Sequence, residues 1–93
     1  MLAINFEWDD KKAKSNFIKH NISFEEASTA FGDDLSITIE DPLHSDNENR
    51  LILIGKSINY KTLVVVHLEK IDSIRIISAR KATKKESKFY EES

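Results

Sequence analysis

The stretch S73-I-R-I-I-S-A-R-K-A-T-K-K-E86 sets two arginines into an apolar, branched run that passes directly into a helix start. Branched aliphatic residues over 74–77 suit a sheet interior. Thr83 followed three residues later by Glu86 is a capping-box pattern, which opens a helix over KKESKFYEE and turns Phe89 and Tyr90 toward the body. An arginine within a strand is unfavourable unless it reaches a partner or an anion. The segment therefore reads as a sheet edge or end that meets phosphate.

Upstream, KTLVVVHLEK and RLILIGKSI are two more branched strands with Asn59 and Tyr60 at a hairpin turn between them, and Ile71 to Ser73 form a second tight connection. LSITIED from Leu35 alternates as a further strand. Residues 2–8 alternate Leu2, Ile4, Phe6 and Trp8 against Ala3, Asn5 and Glu7, the period of a half-buried strand. Asp9 is placed to cap a helix that carries Ala13, Asn16, Phe17 and His20 on one face and closes at Asn21, a residue that tolerates the left-handed conformation. Ser23 and Glu26 predict a second short helix over 24–31, ending at Gly32. The expected order is strand, two helices, four strands, helix: a single α+β domain over residues 1–93, with a four-stranded antiparallel sheet region. Pro42 to Asn49 is the one linker-like stretch.

Ninety-three residues suffice for one modest core. The chain has no cysteine, which removes disulfides and thiolate chemistry, and its longest apolar run, Leu63 to Val66, is too short to cross a bilayer. A cytoplasmic protein is the default expectation. The net charge of -2 divides unevenly: residues 1–49 carry -7 and residues 50–93 carry +5. Such polarity suits an RNA face and a protein partner equally.

With tight turns near 59–60 and 71–72, residue 50 is expected roughly opposite 69, and 67 opposite 76. Side-chain alternation then groups Arg50, His67, Glu69, Ser78 and Arg80 on one face and sends Arg75 to the other, beside Ile77 and Lys81; a slip or bulge would exchange these groupings. Arg50 and Glu69 read either as a cross-strand ion pair or as catalytic groups. Arg75 reads as a structural or partner-facing cation. Arg80, ending a strand before a helix N-terminus with Lys81, Lys84 and Lys85 behind it, is the stronger anion-binding candidate. His20 could move a proton near neutral pH, although a packing role is the commoner fate of such a position. His20, His44 and His67 lack metal-ligand spacing, so neither metal nor cofactor is expected. Trp8 could cover the first helix or stack on a base. Only two glycines occur, and no glycine-rich phosphate loop is present.

Phe6-Glu7-Trp8-Asp9, Lys12, Asn16, Lys19-His20, Ser23-Phe24, Glu26-Ala27 and Phe31, then Arg50, Gly55, the block RIISARKAT from Arg75, Glu86 and Tyr90, resemble the BrnT-type toxins. The resemblance spans nearly the whole chain. It implies the ribonuclease half of a type II toxin-antitoxin pair with a RelE-like fold. It further implies a BrnA-type antitoxin bearing a ribbon-helix-helix region, DNA contact only through that antitoxin, and assembly as a homodimer or a heterotetramer with it. Asn49 stands where members often carry an acid before the arginine, with Glu48 one further back. Leu68-Glu69-Lys70 replaces a common Thr-Glu-Arg, and Asn21 replaces a glycine.

The chemistry expected on this reading is metal-independent cleavage by the RNA's own 2′-hydroxyl. Arg80 and Arg50 would stabilise the phosphorane, Glu48, Glu69 or His20 would move protons, and Trp8, Arg75, Lys81, Lys84 and Lys85 would hold RNA. The rival expectation is a non-catalytic protein-binding module. Direct sequence-specific DNA binding is disfavoured by the negative net charge and the lack of a recognition-helix pattern.

Overall fold

The structure is a computed structural model that describes residues 4–42 and 49–93. Its elements follow the expected order: β1 (Asn5–Glu7), α1 (Asp10–His20), α2 (Phe24–Thr29) running into a 3-10 turn (Ala30–Gly32), β2 (Ile37–Glu40), β3 (Arg50–Lys56), β4 (Thr62–Glu69), β5 (Ser73–Lys81) and α3 (Lys84–Glu92). All five strands join one sheet in the order β1-β5-β4-β3-β2. β2 through β5 pair antiparallel, whereas β1 lies parallel to β5, so the sheet is mixed and has β1 and β2 at its edges. Among the described residues no helix is long and apolar enough to cross a membrane.

The caps behave as their chemistry requires. The Asp9 carboxylate accepts from the backbone N–H groups of Lys11 and Lys12, and Asn21 closes α1 at φ 58° with its N–H on the Phe17 carbonyl. Ser23 accepts from the Glu26 N–H, while the Glu26 carboxylate turns away to receive the Ser57 hydroxyl at 2.8 Å. Thr83 and Glu86 form the full reciprocal capping box.

Two apolar layers cover the sheet. On one face Leu63, Val65, Ile76 and Ala79 pack under Ile22, Phe24 and Ala27 at the start of and within α2, with Ala13 of α1 and the ring of Trp8 against them. On the other, Ile54 and Val64 meet Tyr90 of α3. Burying a side chain such as Phe24 or Ile22 contributes roughly 1.5–3 kcal/mol. Phe89, expected to turn inward beside Tyr90, is instead 54% exposed, because neighbours on a helix diverge by about 100° and the sheet accepts only one of them. Phe17 is half exposed for the same reason; Asn16 takes the buried place. Gly55 is required where β3 passes the 3-10 turn: a Cβ there would lie 3.0 Å from the Ala30 carbonyl oxygen and 3.0 Å from the Ser36 Cβ.

The register corrects the expected grouping of polar side chains. Arg50 pairs with Leu68, not with residue 69, whereas His67 does pair with Ile76. Between Val66 and His67 the β4–β5 register shifts: Val66 pairs with Ser78, leaving Ile77 as the extra residue of a bulge. That one residue restores parity between positions 75 and 80. Arg75 therefore shares its face with Arg50, Ser78 and Arg80, while His67 and Glu69 lie on the helix-covered face.

Candidate active site

Among the described residues, the part of the sheet left half-buried rather than covered lies on the α3 side. Cross-strand partners share a face, so Glu7, Arg75, Leu68 and Arg50 form one row across β1, β5, β4 and β3. The next row, Ser78, Val66 and Ile52, half-buried, with Ile39 exposed at the edge, supplies a largely aliphatic floor. α3 closes the face beyond it. Arg50 and Arg75 flank Leu68 with backbones roughly 10 Å apart, two strand spacings.

Arg75 is oriented rather than neutralised. Its guanidinium lies 3.8 Å from the Glu7 carboxylate, and the same carboxylate oxygen receives the Lys70 ammonium. The hydrogen bond from Lys70, with the nearby charges of Lys70 and Arg75, holds the Glu7 carboxyl below the usual range. Two cations thus share one acid. Neither Glu7 nor Lys70 stood out in the sequence as a site residue, because their meeting depends on β1 joining the sheet parallel to β5.

At the same end of the sheet an open cleft of about 600 Å³ is lined by Glu40, Asn49, Arg50, Glu69 and Lys70 among others. It brings together two expected catalytic residues, Arg50 and Glu69, without making them cross-strand partners. Glu69 also lies 3.7 Å from the ring Nε2 of His67. That histidine is fully buried, with Phe31 edge-on at 4.7 Å and its Nδ1 3.2 Å from the Val65 carbonyl. Burial pushes the imidazole below its ordinary pKa, opposed by the Val65 carbonyl and by Glu69.

Arg80 has a different setting. Its two terminal nitrogens bind the two Glu86 oxygens at 2.7 and 2.8 Å, and Glu86 also accepts from the Thr83 N–H. The anion expected at this helix N-terminus is supplied by the chain itself. Arg80 sits roughly 13 Å along the strands from the row of Arg50 and two strands across from it, so the two guanidinia do not converge on one phosphate. Lys81, Lys84 and Lys85 are exposed beside it. Trp8 meets Phe24 edge-on at 5.9 Å and packs on the core. His20 ends α1 in the opposite layer from the arginine row, and Glu48 lies outside the described residues. No group of three or more His, Asp or Glu side chains among the described residues converges to hold a metal ion.

A row of arginines on an open sheet, with a carboxylate in the adjoining cleft, can receive and polarise a phosphodiester. The family model for BrnT, the ribonuclease toxin of type II toxin-antitoxin systems, matches residues 8–86. This chain belongs to that family. The BrnT match includes every arginine described above and stops at Glu86, the partner of Arg80. The crystal structure of the Brucella abortus ribonuclease toxin BrnT, at 1.1 Å, has the same fold: the TM-score is 0.69 at 19% identity, over 88% of this chain and 100% of that one. No curated protein matches.

Proposed function

We propose that this BrnT-family chain is an endoribonuclease that cuts RNA without a metal ion, arrests growth when free, and is neutralised by a cognate antitoxin of the BrnA type. The observation that carries the reading is the row Glu7–Arg75–Leu68–Arg50 on one half-buried face, with Glu69 lining the cleft beside Arg50. Arg50 and Arg75 meet the non-bridging oxygens of the scissile phosphate. Glu69, on the other face but lining the same cleft at the end of the sheet, reaches round that end to take the proton of the 2′-hydroxyl as that oxygen bonds to phosphorus, and the P–O5′ bond breaks to leave a 2′,3′-cyclic phosphate. A second proton reaches the departing 5′-oxygen from Lys70 or solvent. Arg75 keeps its aim through Glu7, and Arg80 positions α3 rather than the phosphate.

Wild type and the Arg50→Ala and Arg75→Ala variants, assayed on purified RNA with excess chelator, test this. Full cleavage in chelator with a loss of about 10²-fold or more in each variant is expected. Cleavage that requires added divalent metal, or that survives both substitutions, overturns it.

One observation favours a second reading. The floor of Ile39, Ile52, Val66 and Leu68 has no aromatic ring to stack a base, and such a surface suits a protein segment. On that reading the chain is a non-catalytic binding module, and its induction in cells is harmless.

A further inference from the structure

The β3–β4 hairpin tip holds a tyrosine where the backbone favours glycine. Tyr60 adopts φ 62°, with its N–H on the Ser57 carbonyl and with Ser57 and Lys61 closing the loop at 2.9 Å. In a three-residue hairpin loop this is the left-handed position that glycine or asparagine normally fills. Asn59 stands one residue too early to fill it. A bulky side chain kept in a disfavoured backbone region calls for a use of that side chain.

The tip is rigidly held from below. The Ser57 hydroxyl donates to Glu26 at 2.8 Å and accepts from the Asn59 N–H at 3.3 Å, and the Ile58 N–H donates to the Thr29 hydroxyl at 2.9 Å. None of these bonds engages the tyrosine ring, which is 85% exposed. Tyr60 borders an open cleft of about 370 Å³ shared with Lys56, Ile58, Thr29 and Asp33, whose carboxylate is already taken up by the Lys56 N–H and the Tyr90 hydroxyl. The Ala82 N–H donates to the Thr62 carbonyl at 2.9 Å, which brings the start of α3 and its exposed Lys84 to the same end of the sheet. An exposed aromatic ring on a fixed backbone, with Lys56 in its cleft and Lys84 at the same end of the sheet, matches the chemistry that holds single-stranded nucleic acid, with bases on the ring and phosphates on the cations.

We infer that Tyr60, with Lys56 and Lys84, forms a second RNA site that stacks a base of the single strand flanking the scissile phosphate. The inference rests on the ribonuclease reading above. β3 separates this site from Arg50 by roughly 20 Å, so only an RNA longer than a few nucleotides reaches both.

The experiment measures binding of uncleavable 2′-O-methyl RNA, in lengths of about four and about twelve nucleotides, to the full chain and to Tyr60→Gly and Tyr60→Phe, alongside urea denaturation. Tyr60→Gly is expected to weaken binding of the longer RNA about tenfold, to leave the shorter unchanged, and to raise the urea midpoint by relieving the backbone; Tyr60→Phe keeps wild-type binding. A structural tyrosine cannot give a chain that is more stable yet binds worse. Wild-type binding of the longer RNA by Tyr60→Gly overturns the site while leaving the ribonuclease reading intact, and so does a loss confined to antitoxin binding, which would assign the tip to protein. A wild-type chain that neither binds nor cuts RNA overturns both.

Discussion

Asn16 shows how much one side chain can fix. Its amide donates to the Ile22 carbonyl at 3.1 Å and the Ala79 carbonyl at 2.8 Å, and its oxygen accepts from the Ala79 N–H at 3.1 Å, so a helix side chain acts as a strand partner to β5. Asn16→Ala strands these buried backbone groups and is expected to cost about 2–4 kcal/mol in urea denaturation. Asn16→Asp, which cannot donate twice, should not rescue it. His67 sets a pH dependence at the same scale. Its folded pKa is below the ordinary value near 6.5, so the unfolded chain binds the extra proton first as pH falls. Stability is expected to be level above about 6.5 and to decline below it, with Glu69, the acid facing the ring, softening the fall. Replacing His67 with Gln should flatten that part of the pH–stability curve. The asparagine was visible in the sequence only as a helix-face residue; its bonds to Ala79 span 63 positions and could not be read from local pattern.

At the scale of elements, α3 is a latch as well as a cover. Tyr90 donates to the Asp33 carboxylate from the last turn of the helix, and Arg80 grips Glu86 at its start. The hydrogen bond to Asp33, aided by burial, pushes the Tyr90 phenol up to about 12, and the Arg80 bond, against a smaller opposing effect of burial, draws the Glu86 carboxyl down to about 2. A carboxyl depressed in the folded state stabilises above its unfolded value and loses that contribution as pH falls from about 4.5 to about 2. Glu86→Gln should shrink this acid limb, and a double-mutant cycle of Arg80→Ala with Glu86→Gln should return a favourable coupling of about 0.5–1 kcal/mol, reduced by solvent screening of the partly exposed pair. An Arg80→Ala chain that loses RNA cleavage with no loss of stability would assign Arg80 to the chemistry instead. The capping box of this helix was legible from Thr83 and Glu86 alone, because a cap is a contact within one turn. The ion pair was not, since nothing in the spacing tells whether Arg80 faces Glu86 or solvent.

For the whole molecule, a chain of net charge -2 binds RNA only if its cations are gathered. The fold gathers them at two ends of one sheet: Arg50, Arg75 and Lys70 at one, Lys56, Lys81, Lys84 and Lys85 at the other. Binding is therefore expected to weaken steeply with salt, by roughly 0.7 in log K per log unit of salt for each phosphate neutralised, and Arg75→Ala should lower that slope by about one contact. Measured affinity of an unstructured RNA across a salt series checks it. By itself the sequence determined the element order, the helix caps, the turn at 71–72, the β3–β4 hairpin though not the third residue of its loop, and the BrnT resemblance, since each depends on contacts within a few residues or on residue identity in order. Tertiary structure alone decided which arginines face together. β1 had to join parallel to β5 to bring Glu7 to Arg75, and one unpaired residue, Ile77, moved Arg75 to the face of Arg50 and Arg80. Side-chain alternation has a period of two, so a single extra residue reverses every assignment beyond it, and whether a strand takes that residue is settled by the packing of its neighbours rather than by its own sequence.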